Sequence, residues 1–109
     1  MLDEVSTIGA ASFEIISRRL EQVAKALWRQ RNPGKSLDAC PEDFGGFGGM
    51  GVICMGDFAQ LPPIEASCLL RGGRLEESFQ TGLRASAMQG REQFGKFTDV
   101  IRLRRIHRQ

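Results

Sequence analysis

The sequence is poor in the residues that build metal centres and disulfide networks. Its three cysteines, Cys40, Cys54 and Cys68, are far apart, and the only histidine is His107. No CxxC pair is present, whereas structural zinc sites use closely spaced ligands. We therefore expect no zinc site. An odd, scattered set of cysteines also indicates a reducing, intracellular setting.

Long apolar runs are absent too. No segment approaches the roughly 18 apolar residues that a membrane-spanning helix requires, and no signal peptide opens the chain. The apolar fraction of 41% is that of a globular protein rather than a disordered one. We expect a small domain inside the cell, without membrane contact. The sequence indicates no oligomeric state.

Charge is nearly balanced overall but unevenly distributed. The formal net charge is +2; residues 1–54 carry 6 Lys/Arg and 7 Asp/Glu, and residues 55–109 carry 9 and 6. The last eight residues contain four arginines and no acid. This basic end is either a surface that meets phosphate or a solvated helix end, and composition leaves both open.

Two helices and two strands are expected from the pattern of apolar residues. The clearest helix runs from Gly9 to Arg31, and Pro33-Gly34 ends it. Residues 83–94 form the second helix, although Gly90 weakens the pattern. Residues 65–81 are expected to form a loop or a short helix. The apolar residues expected to face inward in the two helices are Phe13, Ile16, Leu20, Val23, Leu27, Leu83, Ala87 and Phe94.

The expected strands complete an α/β fold. Residues 52–56 form a short apolar run bounded by glycines, which is typical of a strand buried on both faces of a parallel sheet, with Cys54 acting as a small apolar side chain. Residues 97–103 are expected to form a second strand. Since ligands of open α/β sheets bind beyond the carboxyl ends of the strands, we expect the functional residues there.

The stretch around which the chain is organised directly follows the first expected strand. It reads Gly56-Asp57-Phe58-Ala59-Gln60-Leu61-Pro62-Pro63. Gly56 permits close backbone approach, and Asp57 brings a carboxylate to the strand tip. The Gln60 amide can both donate and accept, so it can hold a phosphate oxygen and a water together. Asp3 and Glu4 would stand at the same edge if Leu2 ends a neighbouring strand, where one acid can hold magnesium and the other orient water.

Two glycine-containing segments are weaker candidates for phosphate binding. Gly34-Lys35-Ser36 matches the end of the GxxxxGK[ST] loop, but Arg29 stands where the first glycine belongs, and the segment follows a helix. We interpret it as a surface loop. Residues 44–51 are rich in glycine but lack lysine and precede the strand, so they are expected to form a flexible approach to it.

Three segments in order resemble superfamily-one DNA helicases of the Pif type (petite integration frequency), relatives of RecD. Asp3-Glu4-Val5-Ser6 resembles motif II, the Walker B acids; the stretch at 56–63 resembles motif III; Ile106-His107-Arg108-Gln109 resembles motif IV. Phe44-Gly45-Gly46 also fits the family pattern. The resemblance covers nearly the whole chain, and the GDFxQLPP form of motif III is its most specific part.

The resemblance implies a fold and a function. The fold would be a partial RecA-like P-loop NTPase domain, with residues 1–109 forming a fragment of the first ATPase domain. Family members couple ATP hydrolysis to five-prime to three-prime movement on single-stranded or forked DNA, in repair, recombination and telomere maintenance. The resemblance thus implies a location in the nucleus or mitochondrion if the organism is eukaryotic.

The resemblance also implies roles for individual residues. Asp3 would hold Mg²⁺ with ATP, Glu4 would orient the attacking water, and Gln60 would sense the γ-phosphate. Arg108 would act as an arginine finger. Asp57 would shape its loop, and His107 would be structural or incidental.

The sequence also departs from this family. It contains no GxxxxGK[ST] loop before Asp3 and no second RecA-like domain after Gln109. We therefore expect a fragment of a helicase core that has no measurable ATPase activity alone. The alternative is a non-catalytic truncated relic that binds nucleic acid or a partner through its basic end.

Overall fold

The computed structural model describes residues 1–61, 63, 69–70 and 81–103. Helices α1 (Ala10–Arg31) and α2 (Thr81–Phe94) pack against each other. Three short 3-10 turns lie between or before them, at Val5–Thr7, Leu37–Ala39 and Gly46–Gly49. Both helices were predicted from the sequence, and these predictions are confirmed. No helix in the described part of the chain is long and apolar enough to cross a membrane.

Helix α1 is held mainly through its first half. Phe13 is fully buried, Ile16 and Leu20 are partly buried, and these positions confirm the predicted apolar stripe. The prediction is wrong further along, since Val23 and Leu27 are 46% and 39% exposed. The cause is that the Gly46–Gly49 turn and α2 cover only part of α1. Small or polar residues complete the buried face, namely Ala10, Glu14, Ser17 and Ala24.

Aromatic rings form the centre of the core. Phe13 of α1 makes edge-to-face contacts with Phe47 and Phe94, at centroid distances of 5.4 and 5.7 Å. Phe97 packs against the same rings, and Phe58 contacts Phe94 at 5.7 Å. Ala87 of α2 is also buried, as predicted. The cluster therefore links α1, the Gly46–Gly49 turn, α2 and the segment after residue 56.

The predicted parallel sheet of a RecA-like α/β domain is wrong for the part of the chain that the structure describes, which is helical and contains no strand. Only an isolated parallel bridge joins Leu2 to Cys54. Ile53 and Met55 are 65% and 45% exposed, so residues 52–56 are not a strand buried on both faces. A sheet requires paired neighbours along the length of each strand, and here the pairing ends after one bridge.

The second predicted strand, at residues 97–103, is also wrong. The structure gives this segment no strand, and Val100, Ile101 and Leu103 are at least 84% exposed. Its first residue, Phe97, is instead turned into the aromatic cluster after α2 ends. The β-forming composition of this segment thus has no described partner strand to pair with. Most of residues 65–81, predicted as a loop or short helix, lie outside the described residues, and Thr81 is the first residue of α2. The Leu83 side chain also lies outside the described residues.

Candidate functional site

The Leu2–Cys54 bridge brings the two acidic segments of the sequence together. The Leu2 N–H donates to the Ile53 carbonyl at 2.8 Å, and the Met55 N–H donates to the Leu2 carbonyl at 2.7 Å. The Val5 N–H then donates to the Met55 carbonyl at 2.8 Å. In the first segment these bonds are made by Leu2 and Val5, on either side of Asp3 and Glu4. In the second segment they are made by Ile53 and Met55, so Asp3 and Glu4 lie next to the residues that follow Met55.

Gly56 makes this contact possible. A Cβ atom at residue 56 would lie 2.9 Å from the Val5 nitrogen and 3.1 Å from the Ser6 nitrogen. Such contacts are too close for a real side chain, so only glycine fits without displacing the Val5–Thr7 turn. The sequence argument for close backbone approach at Gly56 is therefore confirmed, and the neighbour is the chain itself.

Glu4 has an unusual backbone conformation. Its φ of 51° and ψ of 39° place it in the left-handed region, which is uncommon for residues other than glycine. The Asp3 carboxylate accepts a hydrogen bond from the Glu4 N–H at 2.9 Å through Oδ1. Both side chains are exposed. The turn thus presents two adjacent carboxylates to solvent on a strained backbone.

Thr7 fixes the backbone after Glu4 and is a residue that the sequence argument missed. Its hydroxyl donates to the Glu4 carbonyl at 2.8 Å, and its N–H donates to the same oxygen at 2.9 Å. A threonine three residues after the turn's first residue is a local capping pattern, so the signal was present in the sequence. Thr7 therefore holds the turn that carries Glu4.

Asp57 shapes the loop that carries Gln60. Its Oδ1 accepts from the Ala59 N–H at 2.9 Å, and its carbonyl accepts from the Gln60 N–H at 3.1 Å. The Gln60 amide Nε2 also donates to Asp57 Oδ2 at 3.4 Å. These bonds close a turn of the kind that aspartate favours. The loop-shaping role expected for Asp57 fits this geometry.

Gln60 and Thr7 line one open depression of about 480 Å³. Ala59 and Leu61 complete its lining. Thr7 is hydrogen-bonded to the backbone carbonyl of Glu4, so the depression lies beside the turn that carries Glu4, although Asp3 and Glu4 are not among its lining residues. Its size is within the range of sites for small ligands, roughly 300–1,000 Å³.

A magnesium ion would have to be bound mostly by ligands other than protein side chains. Among the described residues, no group of three or more His, Cys, Asp or Glu side chains is placed to hold a metal. Magnesium in nucleotide sites, however, needs only one or two carboxylates, with water and phosphate oxygens completing its shell. The exposed, hard-oxygen carboxylate of Asp3 fits that limited role.

Other predicted site residues are not all placed. Arg108 and His107 lie outside the described residues, and so does Pro62 of the central stretch. The Gly34-Lys35-Ser36 segment is exposed, with the Lys35 ammonium 6.0 Å from the Trp28 ring centroid, in agreement with a surface loop. No family model, no curated protein and no solved structure matches the chain.

Proposed function

We propose that this chain contributes the acid pair and the glutamine of an ATP-hydrolysing site in a DNA helicase of the Pif type. The observation that carries the proposal is the shared depression at Gln60 and Thr7, with Thr7 hydrogen-bonded to Glu4. It joins the motif III-like stretch to Thr7, which directly follows the motif II-like stretch Asp3–Ser6 and lies more than fifty residues earlier in the sequence than Gln60. Movement from five-prime to three-prime on DNA, and a role in genome maintenance, belong to the same proposal.

Asp3 would hold Mg²⁺ together with ATP. The bound ion would neutralise phosphate charge and so favour attack at the γ-phosphate. The hydrogen bond from the Glu4 N–H to Asp3 Oδ1 orients the Asp3 carboxylate on the turn. Its other oxygen, Oδ2, is suited to face the ion because a carboxylate has several acceptor positions.

Glu4 and Gln60 would act on the attacking water and on the phosphate. Glu4 would accept a hydrogen bond from the water and orient it, and the left-handed backbone fixes where its side chain starts. Gln60 would bond the γ-phosphate while Asp57 holds its loop. Loss of the phosphate would then release the Gln60 amide, which is the change that would be passed to a DNA-binding surface. Arg108 would stabilise the transferred phosphate, a role that rests on the sequence alone.

The test starts from the full-length transcript around this reading frame. An in-frame GxxxxGK[ST] sequence upstream of Met1 is expected. The protein encoded by that transcript should hydrolyse ATP in the presence of single-stranded DNA. Glu4→Gln and Gln60→Ala should each lower kcat by at least about a hundredfold, on the scale of removing a catalytic positioning group. Glu21→Gln and Gln22→Ala on α1 serve as controls and should leave kcat unchanged.

Two results would overturn the proposal. One is a transcript without the phosphate-binding loop, together with no ATP binding by its product. The other is full ATPase activity in the Glu4→Gln variant. The 109-residue chain alone is expected to show no turnover. Magnesium-dependent hydrolysis by the pure chain, abolished by Glu4→Gln, would contradict that expectation while keeping the assignment of Glu4.

A second candidate function is non-catalytic binding of nucleic acid or a partner through the basic end. The exposure of Val100, Ile101 and Leu103 favours it, because these apolar side chains flank Arg102 and are 84–90% exposed. It predicts salt-dependent affinity for single-stranded DNA without ATP. Binding that survives the combined loss of Arg102, Arg104 and Arg105 would exclude this candidate.

A further inference from the structure

A second hollow lies on the described part of the chain, lined by residues other than those of the acidic turn and the Gln60 loop. It has a volume of about 240 Å³ and is formed by the Gly46–Gly49 turn, residues 50 and 52, the end of α2 and the residues that follow it, 96 and 97. The side chains that define its chemistry are Phe47, Gln93, Lys96 and Phe97. We propose that this hollow is a nucleobase site that takes one planar base together with its neighbouring phosphate.

The walls of the hollow are aromatic and fixed. The Phe47 and Phe97 ring centroids are 5.9 Å apart, and Phe97 also packs 5.8 Å from Phe94. Phe47 is buried on the opposite side against Phe13, and its N–H donates to the buried Ser17 hydroxyl at 3.4 Å. Neighbouring rings already hold the Phe97 ring in place. A base that stacks on it therefore costs little side-chain entropy. Aromatic side chains are the usual platform for an unstacked base.

The backbone around Phe47 is strained in a way that forms the hollow. Phe47 has a φ of 57°, and it is followed by Gly48 and Gly49, whose φ values are 66° and 71°. A bulky residue in the left-handed region is an outlier, and such outliers persist where the surrounding structure enforces them. A Cβ atom at Gly48 would overlap the Leu20 carbonyl and the Ala24 side chain. The turn is thus pressed against α1, with Phe47 lining the hollow.

Gln93 supplies an unused hydrogen-bond acceptor. Its Oε1 is buried and has no hydrogen-bond partner in the structure, and a Cβ atom at Gly46 would lie 3.2 Å from it. A buried polar atom without a partner is costly, so it calls for an explanation. An exocyclic amine of adenine or cytosine is a donor of the right kind. The Gly46 backbone packs against this atom, and a rotation of the Gln93 side chain would bring Oε1 into the hollow that Gln93 lines.

The charge and the volume of the hollow further restrict the class of ligand that it can bind. Lys96 lines the hollow and is exposed, so its ammonium can meet the phosphate attached to the base. Its backbone is held by the hydrogen bond from the Lys96 N–H to the Gln93 carbonyl at 3.2 Å. A volume of 240 Å³ is below the range of drug-sized ligands, so the hollow fits one ring system and not a whole stack.

The base can come from a nucleic acid strand or from a free nucleotide, and the experiment distinguishes these sources. Binding to the 109-residue chain is measured by anisotropy of labelled dA12 and dC12, without ATP or magnesium, and AMP and CMP are added as competitors. Gln93→Leu should weaken binding about tenfold, the scale of losing one base contact. Gln89→Leu, at an exposed position of the same helix, should leave it unchanged. If AMP or CMP displaces the oligonucleotide at a concentration near that of the oligonucleotide, the natural ligand is a free nucleotide. If neither competes at that concentration, the natural ligand is a nucleic acid strand.

Photocrosslinking of the unmodified chain guards against variants that fail to fold. An oligonucleotide and a nucleotide, each carrying a photoreactive base, should crosslink to the peptide that contains Lys96 and Phe97. Crosslinks confined to other peptides would overturn the proposal. Undiminished binding by a Gln93→Leu variant that keeps its helical content would also overturn it, as would the absence of binding by either ligand. The binding assay contains no ATP, so a negative result in it does not affect the proposed roles of Glu4 and Gln60. A negative result in the ATPase measurements likewise does not affect this site.

Discussion

Gly90 of α2 lies directly against the Ala10 carbonyl of α1. A Cβ atom at residue 90 would overlap that oxygen and would also lie 3.3 Å from the Glu14 nitrogen. Ala10 is the first residue of its helix and is fully buried. The glycine that weakens the helical pattern of residues 83–94 therefore sets the distance between the two helices, and a packing requirement outweighs helix propensity at this position.

Substitution of Gly90 should reverse the usual effect of a glycine-to-alanine change. In an exposed helix interior, alanine is about 0.8–1 kcal/mol better than glycine. Here the new methyl group must push α1 and α2 apart, so Gly90→Ala is expected to lower the free energy of unfolding by about 1–3 kcal/mol. Urea denaturation followed by circular dichroism measures this. Gly95→Ala, where the nearest atoms are 3.4 Å away, is the control and should be nearly neutral. A more stable Gly90→Ala protein would contradict the close helix contact.

The contact at Gly56 can be tested by the exchange of backbone amide protons. Gly56→Ala should displace the Val5–Thr7 turn, because the new methyl group would meet the Val5 and Ser6 nitrogens. The Leu2, Val5 and Met55 amide protons, which are hydrogen-bonded across this junction, should then exchange faster with solvent. Gly51→Ala is the matched control, since nothing lies within 4 Å of its Cβ position. Equal protection in both variants would show that Gly56 does not hold the two segments together.

The helices could be predicted from the sequence because their information is local. Phe13, Ile16 and Leu20 recur at helical spacing, and Pro33-Gly34 marks the end closely, since α1 stops at Arg31. Residues 52–56 and 97–103 have strand-like composition, but a strand also needs a partner of matching length. That partner is a property of the whole fold, and the described residues supply only the bridge at Leu2. The predicted parallel sheet failed for this reason.

The candidate site was predictable in part. The adjacency of Asp3 and Glu4 to the segment after Met55 was expected from a sheet, and it is produced instead by three backbone hydrogen bonds, two of which form the isolated bridge. The loop-forming bonds of Asp57 follow from the residue type. The left-handed backbone of Glu4 could not be predicted, because glutamate has no preference for it. The hydrogen bond from Thr7 to the carbonyl three residues earlier is a local pattern that the sequence could have indicated, and it was missed.

The thiol of Cys54 gives the fold a pH dependence of defined sign. Partial burial raises the pKa of this thiol above its ordinary value of 9.0, and the charged amino terminus opposes the shift more weakly. A raised pKa means that the folded state holds the proton more tightly than the unfolded state. The resulting stabilisation is complete below pH 9 and is lost as the pH rises through the folded pKa.

Urea midpoints measured from pH 8 to pH 11 test this dependence. The Cys54→Ala variant should lose less stability over that range than the unmodified chain, because the thiol no longer ionises next to Leu2. Cys40→Ala is the control for removing a thiol at another position. Its urea midpoints should change with pH as those of the unmodified chain do. Identical slopes for Cys54→Ala and the unmodified chain would exclude a contribution from this thiol.

Substitutions of Glu4 can distinguish the effect of its strained backbone on stability from the effect of its carboxylate on activity. A left-handed conformation costs a residue with a Cβ atom about 1–2 kcal/mol, whereas glycine adopts it freely but loses more entropy on folding. Glu4→Gly should therefore raise the free energy of unfolding by up to about 1 kcal/mol. Glu4→Ala and Glu4→Gln keep the Cβ atom and should not gain this stability. The comparison isolates the backbone from the carboxylate.

Activity should follow the carboxylate rather than the backbone. On the proposed role of Glu4, we expect Glu4→Gly, Glu4→Ala and Glu4→Gln each to lower the DNA-stimulated kcat of the protein encoded by the full-length transcript by at least about a hundredfold, because each lacks the carboxylate. Only the glycine variant should be more stable than the parent protein. A residue that destabilises its own turn yet is required for turnover is the pattern expected of a functional group held under strain. A glycine variant that is both more stable and fully active would show that Glu4 takes no part in the reaction.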